Sequence, residues 1–199
     1  MHWNMACLAN AMVPLIEIES PGEDAADILR TALDTFPTKY EAKWLALFQG
    51  KLGLQTDAPE DMDLIEALLQ LMHANRADFT NVFRSLSAVE KKDTPTHWRD
   101  QFLDRAAADS WLLQYRERLA QESKPDTDRA LQMNSVNPKF TLRNHLAQRA
   151  IEMAQEDDFS EVNRLHSILS QPFDEQPDFA QYALAPLPDE VVMDLSCSS

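Results

Sequence analysis

Apolar residues recur at helical intervals along nearly the whole chain. Ile65, Leu68, Leu69 and Met72 form one stripe, Trp111, Leu112, Tyr115 and Leu119 a second, and Leu142, Leu146, Ala150 and Met153 a third. Residues three and four apart share a helix face, because a turn takes about 3.6 residues. No segment alternates apolar and polar positions in the manner of a half-buried strand. Start signals agree with the stripes. Ser20 is followed by Pro21 and Glu23, Asp57 by Glu60, and Asp158 by Glu161, each an N-cap with a nearby carboxylate. Thr94-Pro95 and Asn137-Pro138 put proline in a first turn, where its missing N–H costs nothing. The pattern predicts helices over 2–13, 21–36, 38–49, 58–74, 78–88, 107–122, 138–155 and 159–170, with room for a short one near 95–104.

Punctuation sets the architecture. Only three glycines occur and no helical hairpin repeats in sequence, which speaks against a solenoid. Beyond Leu169, Pro172, Pro177, Pro186 and Pro188 interrupt any long helix. The expected fold is all-α: one irregular helical bundle over 1–170, followed by an acidic, proline-containing tail over 171–199 that runs extended over the surface. A length of 199 residues suits one domain with a real core.

Charge narrows the partners. Eighteen Lys plus Arg against thirty-three Asp plus Glu give a net charge of -15, which repels nucleic acid and anionic lipid. The apolar opening from Met1 to Ile16 lacks a basic leader and is interrupted by Asn4, Asn10 and Pro14, so neither signal peptide nor membrane span is expected. Two cysteines, Cys7 and Cys197, make no disulfide framework or zinc spacing, and a soluble cytoplasmic protein is the expectation. Charge is also uneven. Arg129 to Ile151 contains no acid but holds Arg129, Lys139, Arg143 and Arg149, whereas Leu165 to Ser199 contains no base but holds Asp174, Glu175, Asp178, Asp189, Glu190 and Asp194. Either the tail docks on the helix expected to begin at Pro138, or both meet another surface, or they are unrelated solvated faces.

Candidate chemistry is sparse. Gly50-Lys51 lacks the earlier glycine and the following Ser or Thr of a phosphate loop. No two of His2, His73, His97, His145 and His166 stand one turn apart as a metal pair would. Asp61 and Asp63 fit the acidic first turn of a helix better than a magnesium site. His97-Trp98-Arg99-Asp100 and Asp78-Phe79-Thr80 echo kinase motifs without their spacing or glycine. Cys7 falls in an apolar helix and is expected in the core, whereas Cys197, near the C-terminus, is a candidate redox thiol.

One long stretch is distinctive. Met133-Asn134-Ser135-Val136-Asn137-Pro138-Lys139-Phe140, continuing through Thr141, Leu142, Arg143, Asn144 and His145 to Ile151, resembles the signature of the selenoprotein O family. Trp3-Asn4-Met5 with Leu8-Ala9, Lys51-Leu52-Gly53-Leu54, Asp78-Phe79-Thr80, Phe83-Arg84-Ser85-Leu86, Gln171-Pro172-Phe173-Asp174 and the terminal Ser-Cys-Ser-Ser follow in the family's order. Phe140 and His145 stand where the family would have tyrosines. The resemblance covers the family's C-terminal part and implies a kinase-like protein adenylyltransferase that moves AMP from ATP to protein hydroxyls. It also implies that the ATP- and Mg2+-binding residues lie upstream of the Trp-Asn segment, so no cofactor is expected on this chain alone, and the partners would be an N-terminal kinase-like lobe and protein substrates. The expected origin is a truncated frame, a split gene or a fragment. Cys197 matches the family's redox-active tail position. Asn137, Lys139, Arg143 and Asn144 are candidate anchors for the tail or the lobe, with Asn137 expected to cap the helix at Pro138 and Lys139 and Arg143 to share its face. Two other functions stay open: a stand-alone helical interaction module, and a thiol redox protein acting through Cys197.

Overall fold

The computed structural model describes residues 2–22, 24–92, 96–187 and 190–191, apart from the side chains of His2 and Thr96. Glu23, the Thr94-Pro95 start and the terminus with Cys197 lie outside the described residues. Ten α-helices and one 3₁₀ helix make up the regular structure, with no strand among the described residues. The chain forms two compact units, Met1–Leu47 and Phe48–Ser199.

The first unit holds α1 (His2–Glu19), α2 (Ala25–Asp34) and most of α3 (Phe36–Leu52). Helix α1 runs on through Pro14 instead of stopping at 13, although the proline has no N–H to offer the carbonyl four residues back. Asp24 caps α2, accepting hydrogen bonds from the Ala26 and Asp27 amides at 3.0 and 3.1 Å, so this helix starts later than Ser20 suggested. Ala9 is buried, while Cys7 is exposed and not in the core. Two residues along a helix turn about 200°, so burying Ala9 sends Cys7 to the opposite side.

The second unit contains α4 (Asp61–Asn75), α5 (Phe79–Leu86), the one-turn α6 (Thr96–Arg99), α7 (Arg105–Leu119), α8 (Asp126–Val136), α9 (Asn144–Gln155), α10 (Ser160–Leu169) and a 3₁₀ helix over Pro177–Ala183. The predicted stripes of α4 and α7 form its core: Ile65, Leu68, Met72, Trp111, Leu112, Tyr115 and Leu119 are all buried. Rings adjoin through it, with centroids 4.7 Å apart for the tilted pair Phe102–Trp98, and 5.3 Å and 5.1 Å for the stacked pairs Trp98–Trp111 and Trp111–Tyr115. Each polar handle donates to a backbone carbonyl, Trp98 to Val82 at 3.1 Å, Trp111 to Leu64 at 2.9 Å and Tyr115 to Leu52 at 2.7 Å. Burial therefore costs none of these groups its hydrogen bond.

The region after α7 departs from expectation. Residues 126–136 form α8, which the apolar pattern did not reveal, and Asn137 closes that helix where it was expected to open one. Pro138 to Arg143 is not helical, α9 begins at Asn144, and Leu142 is exposed outside it. The tail also differs. Its 3₁₀ helix buries Tyr182 and Ala183 against Phe140, Leu146, Ala150, Leu165 and Ile168, forming a second core cluster where a tail running extended over the surface was expected. Phe140, at a position where tyrosine was expected, lies in that cluster 1% exposed.

Candidate anchoring site

Several of the segments singled out in the sequence meet in the second unit, whereas Trp3-Asn4-Met5 and Leu8-Ala9 lie in the first. Helix α3 ends at Leu52, and Gly53 reverses the chain with φ +72°, letting the Leu54 amide reach the Gln49 carbonyl at 2.9 Å. This turn brings Lys51 to Asn137. The Asn137 side-chain amide donates to the Lys51 carbonyl at 2.9 Å, while its Oδ1 accepts from Lys51 Nζ at 3.2 Å. Asn137 is 1% exposed, so the pair is internal. Lys51 Nζ lies 5.5 Å from the Phe83 ring centroid and 5.8 Å from that of Phe79. Burial pushes the Lys51 ammonium below its ordinary pKa, whereas the two ring faces favour its charged form.

Arg84 on α5 joins the same node to the tail. One guanidinium nitrogen donates to the carbonyls of Asn134 and Asn137, both at 2.9 Å, and the other to the Phe173 carbonyl at 3.0 Å and to Glu175 at 2.7 Å. It thus satisfies carbonyls left over at the C-terminal end of α8, as a cation there should. Lys139 meets Glu175 from the other side, donating to its carboxylate and to its backbone carbonyl at 2.7 Å each. The backbone amides of Lys139 and Phe140 both donate to the Pro172 carbonyl, at 2.8 and 3.1 Å. Two cations hold the Glu175 carboxyl below the usual range.

Arg143 is the third contact. It forms a two-pronged pair with Asp78 and donates to the Ala183 carbonyl at 3.1 Å. Asp78 also caps α5 by accepting from the Asn81 amide at 2.9 Å. Burial raises the Asp78 carboxyl, but the hydrogen bonds from Arg143 and Asn81 outweigh it and leave it below its ordinary pKa. Lys139 and Arg143 therefore reach different partners from a non-helical segment and share no helix face. Arg143 is the N-cap residue of α9, and Asn144, the first residue of that helix, is exposed. The other two cations of the basic stretch point elsewhere. Arg129 is buried against Tyr115, Asp126 and the Val89 carbonyl, and Arg149 lies 3.7 Å from Glu161.

A second buried charge cluster escaped the sequence reading. Arg118 on α7 donates to Asp61 at 2.6 Å, to Glu122 at 2.9 Å and to the Thr56 carbonyl. Gln49 donates to Asp61 at 2.8 Å, and the Thr56 hydroxyl to Glu122 at 2.7 Å. Asp61 is 0% exposed and Arg118 2%. The first-turn acid of α4 is thus an internal ion-pair partner, not the solvated dipole acid it resembled. Sequence offered one clue: Arg118 and Glu122 stand four positions apart in the helix predicted over 107–122, which carries the Trp111–Leu119 stripe.

This donor set does not fit a magnesium–nucleotide site. Asp61, Asp78 and Glu122 each face an arginine, and among the described residues no group of three or more His, Cys, Asp or Glu is placed to hold a metal ion. A cleft of about 610 Å³ lies beside α9, lined by His145, Arg149, Glu152 and Tyr182 with Leu184 and Leu187, and it offers no glycine-rich backbone to phosphate. Among the described residues no helix is long and apolar enough to cross a membrane.

The chain is helical, with no strand among the described residues, and several of its distinctive segments meet around Asn137. The chain belongs to the protein adenylyltransferase SelO family, whose model matches residues 1–170. It is 45% identical over 204 residues to a protein nucleotidyltransferase YdiU of Paraburkholderia xenovorans, and that match takes in 100% of this chain and 39% of the relative. Relatives of the same description from Burkholderia ambifaria and Burkholderia multivorans are each 44% identical over 209 residues, covering 100% of this chain and 40% of their own length. The chain therefore spans about two fifths of the curated relatives it matches.

Proposed function

We propose that this chain is the helical scaffold of a protein nucleotidyltransferase. It braces a kinase-like lobe that binds ATP and Mg2+ and passes AMP to hydroxyl side chains of protein substrates, and it transfers nothing by itself. The observation that carries this reading is the node around Asn137. Segments of α3, α5, α8, the loop before α9 and the tail converge there, and their polar groups are directed at one another. Family membership supports the reaction, and a chain that spans about two fifths of its relatives leaves room for the division of labour proposed.

The test uses ATP labelled on its α-phosphate and a generic protein acceptor. The chain alone should leave the acceptor unlabelled. A chimera in which it replaces the matching part of the Paraburkholderia xenovorans relative should label it. Transfer by the chain alone would overturn the reading, as would a folded chimera that is inactive. A second reading, an independent interaction module, is favoured by the exposed apolar residues of α1, including Trp3 and Ile18. A monomer that binds no hydrophobic dye would count against it.

A further inference from the structure

Helix α1 is apolar around its circumference. Over His2–Glu19 its only acids are Glu17 and Glu19, and it has no Lys or Arg. One seam, Met5, Leu8, Ala9 and Met12, lines a groove of about 350 Å³ with Leu29, Leu33 and Phe36 of the same unit, and Leu8 belongs both to this seam and to the next. A second seam has the spacing three, four, three: Leu8, Ala11, Leu15 and Ile18. Four residues so spaced line up along one side of a helix, the pattern by which helices pack into one another. All four are exposed, Leu8 by 53%, Leu15 by 59% and Ile18 by 73%. A helix whose apolar rows reach beyond the groove it lines leaves apolar surface for another element to cover.

We propose that this second seam docks against an apolar helix in the part of the family polypeptide that lies outside these 199 residues. The relatives have about three fifths of their length there, since this chain covers 39% and 40% of them. Charge sets the partner's rim: with Glu17 and Glu19 exposed at one end of α1 and no base on the helix, the matching face is apolar and flanked by Lys or Arg. A second copy of this chain is a poorer occupant. Each copy would bring a net charge of -15 to the contact, and one short seam is small against the roughly 600 Å² that each partner gives to a stable interface. The proposal deepens the scaffold reading and rests on it, by naming the surface that meets the lobe.

Hydrogen exchange of α1 in the free chain and in the chimera tests it, read independently of AMP transfer. Amides of α1 should exchange at least tenfold more slowly in the chimera, while those of α4 and α7 stay alike in both. The double variant Leu15→Asp, Ile18→Asp should leave the melting of the free chain unchanged and lower that of the chimera. Equal exchange of α1 in both proteins would overturn the proposal. So would a dimer of the free chain that the double variant dissolves, because the occupant would then be a second copy. If the chimera does not fold, the intact Paraburkholderia xenovorans relative takes its place, with exchange read on the helix aligned with residues 2–19. A chimera that protects α1 but transfers no AMP sinks the functional reading while leaving this contact standing.

Discussion

Single residues carry much of the second unit's order. A Cβ on Gly53 would lie 2.7 Å from Cγ of Arg129 and 2.8 Å from Sδ of Met133, on a backbone with φ +72°. Both the conformation and the space exclude a side chain. Gly53→Ala should therefore destabilise by about 2–4 kcal/mol, read as a lower urea midpoint with unchanged slope. Arg118 is held as tightly by charge. Arg118→Met leaves Asp61 and Glu122 buried without their cation and should cost about 3–5 kcal/mol. Arg118→Lys should not restore the loss, because one ammonium cannot span both carboxylates and the Thr56 carbonyl as the planar fork does. Full stability in the lysine variant would show that the fork geometry is unimportant.

Elements are joined by contacts of unequal worth. The Lys139–Glu175 pair sits with the Glu175 side chain 67% exposed, so Lys139→Ala should cost under about 1 kcal/mol. Arg84→Ala removes donors from the Asn134, Asn137 and Phe173 carbonyls together and should cost about 2 kcal/mol or more. A zero-length carbodiimide cross-link should join Lys139 to Glu175. Absence of that link, with other surface pairs coupled normally, would contradict the docked tail. The sequence revealed α4 and α7 because their faces bury periodic apolar side chains. It hid α8, where only Arg129 and Met133 are buried and the apolar Leu131 and Val136 are exposed, so that periodicity had little to report. Asn137-Pro138 read as a helix start because Asn caps and Pro suits a first turn. Its side chain instead bonds across the fold to Lys51, a partner 86 positions away that local pattern cannot see.

At the scale of the molecule, paired acids tie stability to pH. Burial raises Asp61, Asp78 and Glu122, yet hydrogen bonds from Arg118, Arg143, Gln49 and Thr56 outweigh it, and each is held below its ordinary value. In the unfolded chain such groups titrate near about 3.9 and 4.3. Folded pKa values below these mean that the stabilisation is complete above about pH 5 and is lost as pH falls through the folded values. The urea midpoint should thus drop steeply below about pH 4.5, and less steeply in Asp61→Asn measured from its own lower plateau. Moderate salt in both series mutes the opposing effect of neutralising a chain of net charge -15. A midpoint flat down to pH 3 would mean that these carboxylates are not ionised and paired inside the fold.

Sequence alone determined the all-helical class, the main core stripes and the family, because each is written in local spacing or in a contiguous run of residues. Only tertiary structure decided that Asn137 closes a helix, that Arg118 is buried between two acids and that Tyr182 and Ala183 enter the core. Those outcomes depend on which distant group is present to satisfy a buried hydrogen bond or charge. Partners such as Lys51 for Asn137, Asp61 for Arg118 and Glu161 for Tyr182 become neighbours only once the chain has folded.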